Sequence, residues 1–121
     1  CDVCPDGWHL PSDAEWNELT DYLGENAGGK LKATGTIEAG TGLWYAPNTA
    51  ATNVTGFKAL PGGNCTSGGA FYDLGSVGIW WSATEFNSSL ACYILTLNDA
   101  SYVNKYIVDK SLGASVRCVK D

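Results

Sequence analysis

Five cysteines and a single histidine are the residues of this 121-residue chain best suited to covalent or metal chemistry. Cys1-Asp2-Val3-Cys4 has the C-x-x-C spacing of redox pairs and of half a zinc site. A redox pair needs a helix N-terminus behind it to lower the thiol pKa, but Pro5-Asp6-Gly7 is a turn sequence. A zinc site needs two more ligands close by, and His9 is the only histidine. Disulfides are the better reading, and they point to an oxidising compartment outside the cytoplasm. An odd count leaves one thiol over or pairs it outside the chain. The expected bridge is Cys4–Cys118, tying the first strand to the last, with Cys1–Cys65 second and Cys92 free; other pairings stay open. In the chain-entropy model, closing so long a loop contributes about 4–5 kcal/mol. His9, between Trp8 and Leu10, has no nucleophile placed beside it, so it reads as a hydrogen-bonded structural histidine. No catalytic constellation emerges, and the chain is expected not to be an enzyme.

The elements that would hold these residues are partly legible. Ser12-Asp13-Ala14-Glu15 is a capping box, with Pro11 stopping anything helical before it. Trp16, Leu19 and Leu23 follow on one face and Gly24 offers a left-handed exit, so a helix is expected over 12–23. Its acids Asp13, Glu15, Glu18 and Asp21 read as a solvated face. Residues 24–56 are rich in Gly, Thr, Ala and Asn and read as loops, with one helical turn near Lys30–Ala33. Leu43-Trp44-Tyr45 is expected as a short strand or anchor.

The last third differs. Ile79–Thr84, Leu90–Leu97, Tyr102–Val108 and Ala114–Val119 are β-branched and aromatic, with Asn/Ser/Asp/Gly breaks between them. They are expected as four strands of a mostly antiparallel sheet. In Leu90–Leu97 alternation puts Ala91, Tyr93, Leu95 and Leu97 on one face and Leu90, Cys92, Ile94 and Thr96 on the other. Trp8, Trp16, Trp80 and Trp81 are expected as core and sheet packing, the adjacent pair facing opposite ways. Arg117 is expected as a buried ion-pair or carbonyl-binding residue. The whole reads as one α+β domain over 1–121 with one or two short helices and long irregular loops.

Composition removes several partners. Thirteen acidic against seven basic residues give a net charge of −6, with no Lys/Arg cluster, which excludes nucleic acid and disfavours anionic membrane surfaces. No apolar run approaches the roughly 18–20 residues that span a bilayer, so no direct membrane insertion is expected. Glu-Pro-Asn, Gln-Pro-Asp and Trp-Asn-Asp, the signatures of calcium-dependent lectins, do not occur; a structural calcium on loop carbonyls remains compatible, and no other cofactor is expected.

Five segments together carry a family resemblance. They are Val3-Cys4-Pro5-Asp6-Gly7-Trp8-His9-Leu10-Pro11-Ser12-Asp13-Ala14-Glu15-Trp16, Gly28-Gly29-Lys30-Leu31-Lys32, the stretch from Thr52-Asn53 to Gly56-Phe57-Lys58-Ala59-Leu60-Pro61-Gly62-Gly63, Trp80-Trp81-Ser82-Ala83-Thr84-Glu85, and the stretch from Lys110 to Gly113-Ala114-Ser115-Val116-Arg117-Cys118-Val119. In this order they resemble the Fibrobacter succinogenes major paralogous domain family over nearly the whole chain. That family is similar to the formylglycine-generating-enzyme-like branch of C-type-lectin folds. The resemblance implies a C-type-lectin-like fold on an exported or surface protein of gut or rumen bacteria.

Some members also resemble the variable proteins of diversity-generating retroelements, which rewrite adenines near the C-terminus of a lectin-like domain. Rewriting an Asn codon reaches most residues but not Lys, Glu, Gln, Met or Trp. Between Phe86 and Leu112 only Lys105 and Lys110 belong to that excluded set, although the whole chain also lacks Gln and Met. Cys92, Ile94 and Ile107 stand where relatives usually show Tyr, Arg or Asn, and Ala114 replaces an expected Phe. The resemblance implies a binding face from residues 86–112 for a protein or cell-surface target. Its anchors would be Phe86, Tyr102, Tyr106 and Ile107, with polar contacts from Asn87, Ser88, Asn98, Asn104 and Asp109. The alternatives are a carbohydrate-binding module of a glycan-degrading system and a purely structural domain.

Overall fold

The structure is a computed structural model and describes residues 3–121. Cys1, and with it the expected Cys1–Cys65 bridge, lies outside the described residues. Strand β1 (Trp8–His9) pairs antiparallel with β7 (Val119–Lys120), matching Trp8 with Lys120 and His9 with Val119. Beside that ladder Cys4 and Cys118 form a disulfide with their Cα atoms 5.8 Å apart. One bond therefore joins two ends 114 residues apart in sequence.

Helix α1 (Asp13–Leu23) begins as its capping box requires. The Ser12 hydroxyl accepts from the Glu15 N–H, and Glu15 Oε2 accepts from the Ser12 N–H at 2.8 Å. Gly24, at φ +64°, ends the helix by donating to the Thr20 carbonyl. Trp16 on the inner face is buried, with Leu19 and Leu23 packed half-buried beside it. Helix α2 (Ala27–Leu31) starts three residues before the expected turn. Gly28 and Gly29 place it: a Cβ on either would run into the backbone of Tyr102 or Ala50. Only glycine lets the chain approach so closely.

Between the helices and the main sheet runs a long irregular segment, broken only by a short hairpin of β2 (Asn64–Cys65) and β3 (Phe71–Tyr72). Trp44 pins it as an anchor rather than a strand. Its ring is fully buried, and its Nε1–H donates to the Ala59 carbonyl at 3.0 Å. The main sheet has the order β4 (Val77–Glu85), β5 (Leu90–Leu97), β6 (Asn104–Asp109), all antiparallel. Trp80 and Ile94 face the helices and meet Trp16, Leu31 and Ala59 in the core. Each such side chain, moved from water to this interior, contributes on the order of 1.5–3 kcal/mol.

The architecture is α+β, two short helices with antiparallel sheets gathered in the C-terminal half. Two expected strands need correction. The fourth, Ala114–Val119, is mostly extended chain: Ser115 bridges to Trp80 in parallel, and only Val119–Lys120 forms a strand, with β1. Tyr102 precedes β6, which starts at Asn104.

Candidate functional site

The hydrogen bonds of β4 fix how β6 is oriented. Trp81 N–H donates to Ser115, Ser115 N–H donates to Ile79, and Gly63 N–H donates to Val77, so these β4 residues turn their backbone groups away from β5. Their partners on β5 turn theirs away from β4, and those of Leu95 and Tyr93 meet β6. Tyr93 is opposite Tyr106 and Leu95 opposite Asn104, so Asn104, Tyr106 and Val108 bond inward. Lys105, Ile107 and Asp109 aim their backbone N–H groups at solvent.

Side chains alternate on the same period. Asn104 and Tyr106 stand on the outer face with Trp81 and Tyr93. Their three rings form a row, Trp81 to Tyr93 at 6.2 Å and Tyr93 to Tyr106 at 6.0 Å between centroids. Burial is the main cause that raises the Tyr93 phenol pKa, helped by the Tyr106 and Asp73 charges. Lys105, Ile107 and Asp109 stand on the other face, toward α1. Phe86 is 64 % exposed, Tyr102 56 %, Tyr106 50 % and Ile107 48 %. Phe86, Asn87 and Ser88 form the β4–β5 turn beside Asp109 at one end of β6, while Asn98 and Tyr102 lie toward the other. The nine residues read from the sequence thus do not share one surface: Asn104, Tyr106, Ile107 and Asp109 divide between the two faces of β6, and the other five lie toward the two ends of the sheet.

Several of the polar ones are occupied by the fold. Asn87 Oδ1 accepts from the Ser89 and Leu90 N–H groups, both at 2.9 Å, shaping its own turn. Asp109 Oδ1 accepts from Ser111 N–H at 2.8 Å, and that bond holds its carboxyl below the usual range. Asn98 clamps a loop, donating from Nδ2 to Ala46 and accepting at its carbonyl from Thr49. Ser88 is exposed at the turn and Asn104 is half-buried on the outer face. Both lysines of the segment are tied to the frame. Lys105 Nζ reaches Asp13 at 2.8 Å and Asn17 at 2.9 Å, and Lys110 Nζ reaches Glu85 at 2.8 Å.

The residues matching one family pattern run from end to end of this frame, and the family model of the Fibrobacter succinogenes major domain matches residues 1–120. The chain belongs to that family. No curated protein and no solved structure matches it.

The Fibrobacter major domain holds further polar groups that the sequence did not mark. Lys32 is fully buried; its ammonium donates to the carbonyls of Leu97 and Ala100, both at 2.9 Å, and lies 5.4 Å from the Trp44 ring centre. Burial pushes its pKa from 10.5 down to about 8, with Asp99 opposing. Two backbone carbonyls, one at the end of β5 and one in the loop after it, are thus held by a lysine. A lysine after Leu31 carries no sequence signal of burial. His9 is held between carboxylates, Nε2 at 2.7 Å from Glu15 and Nδ1 at 2.6 Å from Asp121, and these bonds raise its pKa. Glu15 is lowered chiefly by the Ser12 N–H, then by His9. Asp13 and Glu15 therefore belong to ion pairs rather than to a solvated face.

Two aromatic expectations also change. Trp8 is 45 % exposed because a two-residue ladder offers nothing to cover it. It separates two open grooves of this family member. One, about 900 Å³, runs from Cys4 past Trp81 to Lys110; the other, about 640 Å³, lies between α1 and β7. Arg117 is exposed and stacks 4.5 Å from the centre of the Phe57 ring rather than pairing in the interior. Among the described residues Cys65 and Cys92 have no disulfide partner, and Cys92 is buried. Among the described residues no cluster of three His, Cys, Asp or Glu side chains is placed to hold a metal, and no helix is long and apolar enough to cross a membrane.

Proposed function

We propose that this chain is an extracytoplasmic recognition domain of C-type-lectin-like fold, non-catalytic, whose binding face is residues 86–112 and whose target is a protein or cell-surface structure. The observation that carries this reading is the exposure of all four apolar anchors, Phe86 at the β4–β5 turn, Tyr102 just before β6, and Tyr106 and Ile107 on the two faces of β6. Aromatic side chains left half in water on a rigid frame are the usual source of interface energy. Asn87, Asn98 and Asp109 spend their hydrogen bonds on turns and loops, so most of the contact energy falls to the anchors. The disulfide fits an oxidising compartment.

Diversification by a retroelement fits the same segment. Lys105 and Lys110, the two residues that adenine rewriting of an Asn codon cannot produce, both reach carboxylates outside 86–112. The exposed positions of the segment would be free to change while the frame keeps those two ties and the buried Ala91, Cys92, Ile94, Leu95, Thr96 and Ala100. A carbohydrate ligand is the second reading, favoured by the row of Trp81, Tyr93 and Tyr106 rings on the outer face. The test is binding of the labelled domain to arrays of bacterial surface proteins and of glycans. Phe86→Ala, Tyr102→Ala and Tyr106→Ala combined should weaken binding at least tenfold, about 1.4 kcal/mol or more, with little change in Tm. Undiminished binding by that variant overturns the placement, and signal on glycans alone selects the second reading.

A further inference from the structure

The outer edge of β6 has no protein partner among the described residues. No backbone bond joins the N–H or C=O of Lys105 or Ile107 to any neighbour, and the Asp109 N–H is likewise unpaired. Lys105, Tyr106, Ile107 and Asp109 are all exposed, so nothing covers the strand. Exposed edges are usually guarded by proline, a bulge or an outward lysine. Here Asn104–Asp109 contains no proline and pairs with β5 without a register shift. Its one lysine is drawn back onto Asp13 and Asn17 of α1. The opposite edge of the sheet is closed, since β4 bonds to Ser115 and Pro11.

The geometry points to a second copy of this chain as the partner of that edge. In an antiparallel pair, residues facing each other must both direct their backbone groups at the partner strand. Centring a two-fold axis on Ile107 satisfies this for every outward residue. Ile107 faces Ile107 of the second copy, and Lys105 faces Asp109 in both directions. The register places opposite charges opposite each other twice and an apolar residue on the axis. Tyr106 then faces Val108 on the outer face. The two sheets join into one of six strands. Side chains stand perpendicular to a sheet, so pairing through backbone edges leaves the outer faces open. Two copies of the Tyr106 face would be displayed side by side.

This inference takes Ile107 and Asp109 out of the recognition face and leaves Phe86, Tyr102 and Tyr106 to it, and its test needs no ligand, so either reading can fail without the other. Sedimentation velocity of the purified domain over a wide concentration range should show a reversible monomer–dimer equilibrium. Hydrogen exchange followed residue by residue adds the parity. The amides of Lys105, Ile107 and Asp109 should gain protection as concentration rises, while those of Asn104, Tyr106 and Val108 stay protected throughout. Ile107→Pro removes an outward N–H and no bond to β5, so it should be monomeric with an unchanged far-ultraviolet spectrum. Asp109→Lys sets like charges opposite each other and should weaken the dimer about tenfold. A monomer at every concentration overturns the inference, as does a dimer in which the three outward amides exchange freely.

Discussion

At the scale of single residues, two cations connect distant parts of the chain, and both make pH predictions. His9 joins β1 to the first turn of α1 and to Asp121 beyond β7. Its pKa is raised in the folded chain, so its contribution is complete below the unfolded value of 6.5 and disappears as pH rises through the raised value. Glu15 is lowered, so its contribution is present above 4.5 and is lost as pH falls through the lowered value. The joint contribution of His9 and Glu15 to Tm should therefore be greatest in the mildly acidic range between them. His9→Gln should remove the decline on the alkaline side, read by Tm against pH; a wild-type profile indistinguishable from the variant's would contradict this. Lys32 acts in the opposite sense. Its folded pKa of about 8 lies below 10.5, so between those values the unfolded chain binds a proton that the folded chain does not. Stability from this group rises with pH across that window, because burial disfavours the charged form that the unfolded chain still carries. Denaturant titrations of wild type and Lys32→Met should diverge in that direction.

At the scale of elements, α1 and the central sheet show how much the local pattern can carry. Ser12, Glu15 and the spacing of Trp16, Leu19 and Leu23 describe the helix almost to the residue, because capping and amphipathicity are local. Ser12→Ala should cost about 1 kcal/mol in chemical denaturation by removing the acceptor for the Glu15 N–H. The alternation within Leu90–Leu97 is also as expected, with Ile94 in the core and Tyr93 on the outer face. Ile94→Ala should cost about 2–5 kcal/mol, since four buried side chains from four parts of the chain, Trp16, Leu31, Ala59 and Trp80, meet around it. The same alternation disperses the candidate binding residues. Tyr106 and Ile107 are adjacent in sequence and necessarily oppose each other across the sheet.

For the whole molecule, the Cys4–Cys118 bridge and the β1–β7 ladder close a loop holding every other element. Reduction, or Cys4→Ser with Cys118→Ser, should lower unfolding stability by about 4–5 kcal/mol in the chain-entropy model, with the largest losses of protection around β1 and β7. A loss below about 1 kcal/mol would contradict this assignment. A frame closed in this way can tolerate changes in exposed loops and edges, because the core contacts of Trp16, Trp80 and Ile94 do not pass through them.

Local chemistry in the sequence determined the helix, the antiparallel strands, the face of each β5 side chain and the family, while Cys4–Cys118 was one of several pairings it allowed. Each depends on a capping geometry, a side-chain period or residues recurring in order. Only the tertiary structure decided that Lys32 is buried beneath Trp44, that Trp8 and Arg117 stay at the surface, and that β6 is left as the open edge. Those outcomes depend on which segments arrive beside a residue from far along the chain, and neither period nor composition encodes such neighbours.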